Sequence, residues 1–195
     1  EIFAITIILA IPLGIVVSYF TAKKNTLISK ILRIYILVMR GTPLLLQIIC
    51  IYFAPYFLFG ISYNRFIAVI IAFTLNYSAY FGEIFRGGIE AISKGQWDAA
   101  LTLGFCKIQT FLIIILPQVI KKVLPAISNE IITLVRDTSL SQVIGITELF
   151  SLAQKQANFR FSIIPLIMAG LIYLIISFAL TVGFKTAEKK LEYYR

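Results

Sequence analysis

Histidine does not occur anywhere in the 195 residues. That removes the side chain most used for proton transfer near neutral pH and the commonest metal ligand. Cysteine occurs twice, at Cys50 and Cys106, without CxxC spacing. Neither a disulfide framework nor a thiolate metal centre follows from that pattern, and both residues read as small apolar packing groups. Acids are scarce: nine Asp and Glu stand against eighteen Lys and Arg, a formal net charge of +9. Charged residues of both signs make up only 14% of the chain, where a soluble domain carries about 25%.

Apolar residues fill their place: 59% of the chain is hydrophobic and the mean hydropathy is +0.93. So much apolar surface excludes disorder and argues against a compact water-soluble enzyme. A basic chain can bind nucleic acid, but only with its charge gathered on one wet face. Here the charge comes in bursts between apolar runs, which is the pattern of a membrane protein.

No charged residue occurs in 2–22, 41–64, 66–82 or 161–184. A helix crossing the hydrocarbon needs about 20 mainly apolar residues, and each run qualifies. The first run, followed by Lys23 and Lys24, fits a span better than a cleaved signal peptide. Between 108 and 147 the pattern is less direct. Residues 108–120 are uncharged but short, Lys121 and Lys122 close them off, and Leu124 to Ile146 form a helix-length segment rich in polar residues. Two lysines at the bilayer centre would cost about 2.5–3.5 kcal/mol each on insertion scales. The expectation is therefore that 108–122 lies at the interface and 124–146 crosses.

The fold expected is an all-α integral membrane protein, one domain over 1–195, with five spans near 2–22, 41–60, 65–83, 124–146 and 161–184. Fourteen basic residues fall in 23–40, 83–122 and the tail, against only Arg65, Lys155 and Arg160 on the other side. By the positive-inside rule the amino end is outside and the carboxyl tail cytoplasmic. Five spans cannot divide into two equal halves. A transport pathway would then lie between two copies or two related chains rather than between internal repeats.

The cytoplasmic loop at about 86–122 is too regular to be a mere connector. Ala99, Ala100, Leu103 and Gly104 place small and apolar residues on helix-like spacing, and Gly104 permits a sharp turn or a close approach. Asp98-Ala99-Ala100, three residues, Gly104, nine residues, then Ile114-Ile115-Leu116-Pro117 resembles the EAA loop of ABC-importer permeases, with Asp98 replacing the usual Glu. The stretches from Arg40 to Gln47, from Glu83 to Ile89, and Asp137-Thr138-Ser139-Leu140 after Asn129-Glu130 resemble the polar amino-acid permeases of that family.

The resemblance implies a multi-pass permease subunit in a bacterial inner membrane. It also implies a second permease subunit (another copy or a paralogue), a pair of ATPase subunits and an extracytoplasmic amino-acid-binding protein. In that family the EAA loop forms a coupling helix seated in a cleft of the ATPase, which falls here on Gly95, Asp98, Ala99, Ala100 and Gly104. No Walker A loop, G-x-x-x-x-G-K-[ST], occurs in the chain. ATP and Mg²⁺ therefore belong to the partner, and no cofactor is expected in this chain.

Ionisable residues inside a membrane are functional candidates by default. With Leu124 at the cytoplasmic edge and a rise of about 1.5 Å per residue, the midplane falls near residue 134. Glu130, Arg136 and Asp137 flank it. Glu130 and Asp137, seven apart, share a helix face, and Asn129, Thr133 and Arg136 share a neighbouring one. A free amino acid offers a carboxylate, which Arg136 or helix amides around Thr138 could hold, and an ammonium, which Glu130 and Asp137 could meet. Asn76, with Ser78 beside it, adds polarity at mid-depth on the third span. Two acids favour a basic substrate such as arginine, lysine or histidine. The alternative is an ion network that only gates or holds a dimer.

An intramembrane enzyme would need a nucleophile with a base, and no lysine lies at mid-depth beside a serine. An acidic-ring channel would leave the long loop without a role. Trp97, Tyr193 and Tyr194 read as interfacial aromatics, and Lys189, Lys190 and Arg195 as neighbours of lipid headgroups.

Overall fold

The computed structural model describes residues 1–23 and 26–191, so Lys24 and the tail residues Tyr193, Tyr194 and Arg195 lie outside it. Every element in the described residues is helical. We label them α1 (Ile2–Ala22), α2 (Leu27–Gly41), α3 (Leu44–Phe59), α4 (Arg65–Glu90), α5 (Lys94–Thr102), α6 (Lys107–Ile144), α7 (Leu149–Arg160) and α8 (Ile164–Leu191). Four of these, α1, α4, α6 and α8, are long and apolar enough to cross a membrane. Counting the bent pair α2 and α3 as one broken span makes five.

At the centre is α4, packed against α1, α2, α3 and α6. In lipid there is little hydrophobic drive between helices, so close packing through small residues has to hold them together. Gly14 of α1 and Gly82 of α4 supply it. A Cβ on Gly82 would lie 2.7 Å from Val17 Cγ1, and one on Gly14 would lie 2.7 Å from Phe81 Cβ. Ala68, Val69, Ala72, Phe73, Tyr77 and Phe81 line the buried face of α4. By contrast α8 buries only Ala169 among its described residues and leaves Leu174, Ile175 and Phe178 exposed, as a lipid-facing helix does.

Two stretches depart from the expected outline. The span read from residue 41 begins instead at Leu44, after a bend of 112° at Thr42–Pro43. Before it, where sequence indicated only a basic loop, α2 is a helix that Thr26 caps by accepting from Ser29 N at 3.1 Å. Proline cannot donate a backbone hydrogen bond and disfavours helical backbone in the residue before it, so the helix breaks there.

The second departure is in α6, where 108–122 and 124–146 form one helical run rather than two elements. A π-helical turn at Thr110–Ile115 leads into the α-helical stretch Leu116–Asp137 and ends in a 3₁₀ stretch, Thr138–Ile144. The wider π turn stands just ahead of Pro117, where a regular ladder would lose a donor. Lys122 Nζ donates to Ala91 O, the C-cap of α4, at 2.6 Å. Lys122 is therefore level with the end of α4 and not with its middle.

Candidate functional site

The break between α2 and α3 is fixed by amides. Gln47 Nε2 donates to Met39 O at 3.0 Å, Thr42 O at 3.1 Å and Thr42 Oγ1 at 2.8 Å. Asn76 Nδ2 on α4 donates to Met39 O at 3.0 Å and to Gln47 Oε1 at 2.9 Å. Tyr35 OH ties α2 to Leu75 O and Ser78 Oγ of α4. Both Gln47 and Asn76 are buried, where an unpaired amide would be costly. A broken helix is tolerated at such depth only when its freed polar groups are re-satisfied in this way.

Beside this break lies a cavity of about 420 Å³. Glu130, Thr133, Asp137 and Leu140 of α6 form one wall, Asn76, Tyr77 and Tyr80 of α4 another, and Thr42, Pro43 and Leu44 the third. Glu130 and Asp137 thus share a face, as their spacing required. Tyr77 OH donates to Asp137 Oδ2 at 2.7 Å. The first helical bond of α3 runs from Gln47 N to Pro43 O, so the N–H groups of Leu44, Leu45 and Leu46 have no acceptor within the helix. The positive end of the α3 dipole therefore borders a cavity that also holds two carboxylates.

The other candidates sit differently. Arg136 is exposed, donates to Thr133 Oγ1 at 3.2 Å, and is not among the residues lining the cavity. Its position one residue before Asp137 turns it to another side of the helix. The Thr138 amide is not free either, because the chain stays helical and its N–H donates to Leu134 O, while Thr138 Oγ1 donates to Val135 O at 2.8 Å. Asn76 reaches the cavity, but its amide nitrogen is spent on the α2–α3 break. Tyr77, Tyr80 and the start of α3 were missed from sequence. Nothing in the sequence sets Tyr77 and Tyr80 apart from the other aromatics, and Thr42-Pro43 carries the only signal, a helix breaker within an apolar run.

At the far end of α4, Ser93 begins the short helix α5. Ala100 is buried, while Gly95, Asp98 and Ala99 are exposed. The helix ends in a Schellman turn: Gly104 at φ +86° donates to Leu101 O at 3.0 Å and Phe105 N to Ala100 O at 3.1 Å. Trp97, expected only as an interfacial aromatic, is half-buried and stacks on Phe111 with ring centroids 6.4 Å apart. That contact seats α5 on the π turn of α6. Leu101 and Leu103 remain exposed on the knob so formed.

Comparison with known proteins fits this arrangement. The model of the binding-protein-dependent transport system inner membrane component family matches residues 10–193. The arginine transport system permease protein ArtQ of Bacillus subtilis (strain 168) is 37% identical over 193 residues, covering 98% of this chain and 88% of that protein. The L-cystine permease TcyB of the same organism is 35% identical, covering 96% and 82%. A Rickettsia bellii (strain RML369-C) protein named for glutamine transport, GlnP, is 35% identical, covering 96% and 86%. Among solved structures, an amino acid ABC transporter crystallised with histidines superimposes at a TM-score of 0.83 with 31% identity, over 97% of this chain and 90% of that one. The MetNI methionine ABC transporter, at 13% identity and a TM-score of 0.74, shares the fold. The chain belongs to the binding-protein-dependent transport system inner membrane component family and is a multi-pass permease subunit of a bacterial ABC importer rather than an enzyme.

Proposed function

We propose that the cavity beside the α2–α3 break binds a free amino acid during import. Glu130 and Asp137 meet an ammonium or a cationic side chain, and the start of α3 meets the carboxylate. The observation that carries this reading is the placement of two carboxylates and a helix N-terminus around one cavity, which matches the charges of a zwitterion. Arg136 and the Thr138 amide have no part in it. The permeases of similar sequence are named for arginine, glutamine and cystine, so those names favour amino acids as a class without choosing one. The paired acids favour a basic amino acid.

The energy comes from ATP and Mg²⁺ held by a separate pair of ATPase subunits, engaged through Gly95, Asp98, Ala99, Ala100 and Gly104. An extracytoplasmic amino-acid-binding protein delivers the substrate, and a second permease chain completes the complex. A neutral amino acid is the second reading, because Tyr77 already occupies one oxygen of Asp137 and leaves less negative charge for a cationic side chain. Competition for uptake among arginine, lysine, histidine, glutamine and cystine separates the two. Inhibition confined to the first three supports the basic reading, and equal inhibition by glutamine overturns it.

A further inference from the structure

Two cavities follow one another along α4, and Tyr80 borders both. Asn76, Tyr80 and Glu83 recur at i, i+4 and i+7, a polar stripe running from the candidate site toward the end of α4 that joins the coupling loop. The lower cavity, of about 510 Å³, is bounded by Arg33, Leu37 and Arg40 of α2 and by Glu83 and Arg86 of α4. Arg86 is matched within its own helix by Glu83 and by Glu90, the latter at 2.6 Å. Arg33 and Arg40 make no ion pair among the described residues. Both act through space on Glu83, and Arg40 on Glu130 as well, without closing a pair. The Arg40 guanidinium lies 5.3 Å from the centre of the Tyr80 ring, close enough for a cation–π contact that steadies the ring.

We propose that the lower cavity is a second binding site on the same route, in which Arg33 and Arg40 receive the carboxylate of the amino acid. The inference rests on the amino-acid reading of the upper cavity. The two cavities have opposite character: the upper one presents two acids, and the lower one three guanidinium groups against one carboxylate. A zwitterion held above mainly by its ammonium is held below by its carboxylate, which the planar guanidinium fork suits. When Tyr80 turns aside, the substrate passes by exchanging one charged end for the other. An anionic lipid headgroup has similar charge, but the place of Tyr80 in the lining of both cavities favours a ligand that arrives from the upper one.

The test uses the permease assembled with its ATPase in phosphatidylcholine nanodiscs, with Cys50 and Cys106 replaced by serine. A single reporter thiol is placed by Leu37→Cys in the lower cavity or by Thr133→Cys in the upper one. The Leu37→Cys thiol should react with an anionic methanethiosulfonate on the order of tenfold faster than with a cationic one, through the local potential of the arginines. Arg33→Gln with Arg40→Gln should abolish that preference, while Arg40→Lys alone should keep it. Saturating L-arginine should slow the reaction several-fold, and agmatine, which lacks the carboxylate, should not.

Equal rates for the two reagents, or equal shielding by agmatine, would overturn the second site. So would shielding that comes only from phosphatidylglycerol added to the nanodisc, which would assign the arginines to a headgroup. Shielding of the Thr133→Cys thiol reports the upper cavity separately. Amino acids that shield it but not the Leu37→Cys thiol refute the second site alone, and amino acids that shield neither refute the amino-acid reading as well. Co-elution with the ATPase checks that each variant is folded.

Discussion

At the scale of single residues, Glu130 and Asp137 are the charged groups that face the cavity. Asp137→Asn or Glu130→Gln removes a charge that a substrate cation would meet, and a charge-assisted hydrogen bond is worth about 1.5–3 kcal/mol. Each should weaken substrate retention by the solubilised complex roughly ten- to a hundredfold, measured by equilibrium dialysis. Arg136→Gln should leave retention unchanged, because that side chain lies outside the cavity. Tyr77→Phe keeps the ring but releases Asp137 Oδ2, and the lost positioning should cost about 1 kcal/mol, near fivefold in affinity. Glu130 and Asp137 were legible in the sequence, since a seven-residue separation on a helix decides their common face. Arg136 was placed on the neighbouring face with Thr133, and the structure puts Thr133 on the cavity wall but leaves Arg136 off it. The side of the helix it occupies depends on neighbours brought in from elsewhere in the chain.

At the scale of elements, the Gly14–Gly82 crossing and the α5 knob each concentrate a requirement in one backbone atom set. Gly82→Ala places a methyl 2.7 Å from Val17 Cγ1, an overpacking that should cost about 1–3 kcal/mol. The expected result is a lowered Tm of the purified complex, with Gly170→Ala on α8 as the control because a Cβ added there meets nothing within 4 Å. Gly104→Ala forces a side chain into the left-handed region at φ +86°, costing roughly 1–2 kcal/mol and loosening the end of the knob. Basal ATPase activity of the partner should survive in the assembled complex, while its stimulation by substrate-loaded binding protein falls. The long apolar helices α1, α4 and α8 could be read from charge-free runs alone. The reach of α2 and the unbroken course of α6 could not. Both turn on prolines whose effect is decided by partners, the Gln47 and Asn76 amides at Pro43 and the π turn ahead of Pro117.

At the scale of the whole molecule, the excess of positive charge separates into distinct uses. Lys122 caps α4 beside the coupling loop, Arg86 closes an ion network within α4, and Arg33 and Arg40 line the lower cavity. The helix core provides the packing, yet α8 and the outer face of α2 expose continuous apolar surface that lipid or a second permease chain must cover. Importer membership was legible because the loop motif carries two fixed spacings, whereas the substrate was not, since paired carboxylates meet an ammonium that every amino acid carries.

The central claim, that this chain passes an amino acid inward on energy borrowed from an ATPase, is tested most directly in proteoliposomes holding the permease with its ATPase and binding protein. Uptake of a labelled amino acid should require internal ATP and Mg²⁺ and should fall with Asp137→Asn and Glu130→Gln in the assembled complex. Uptake or ionic current of equal size without nucleotide, unaffected by either substitution, would contradict it.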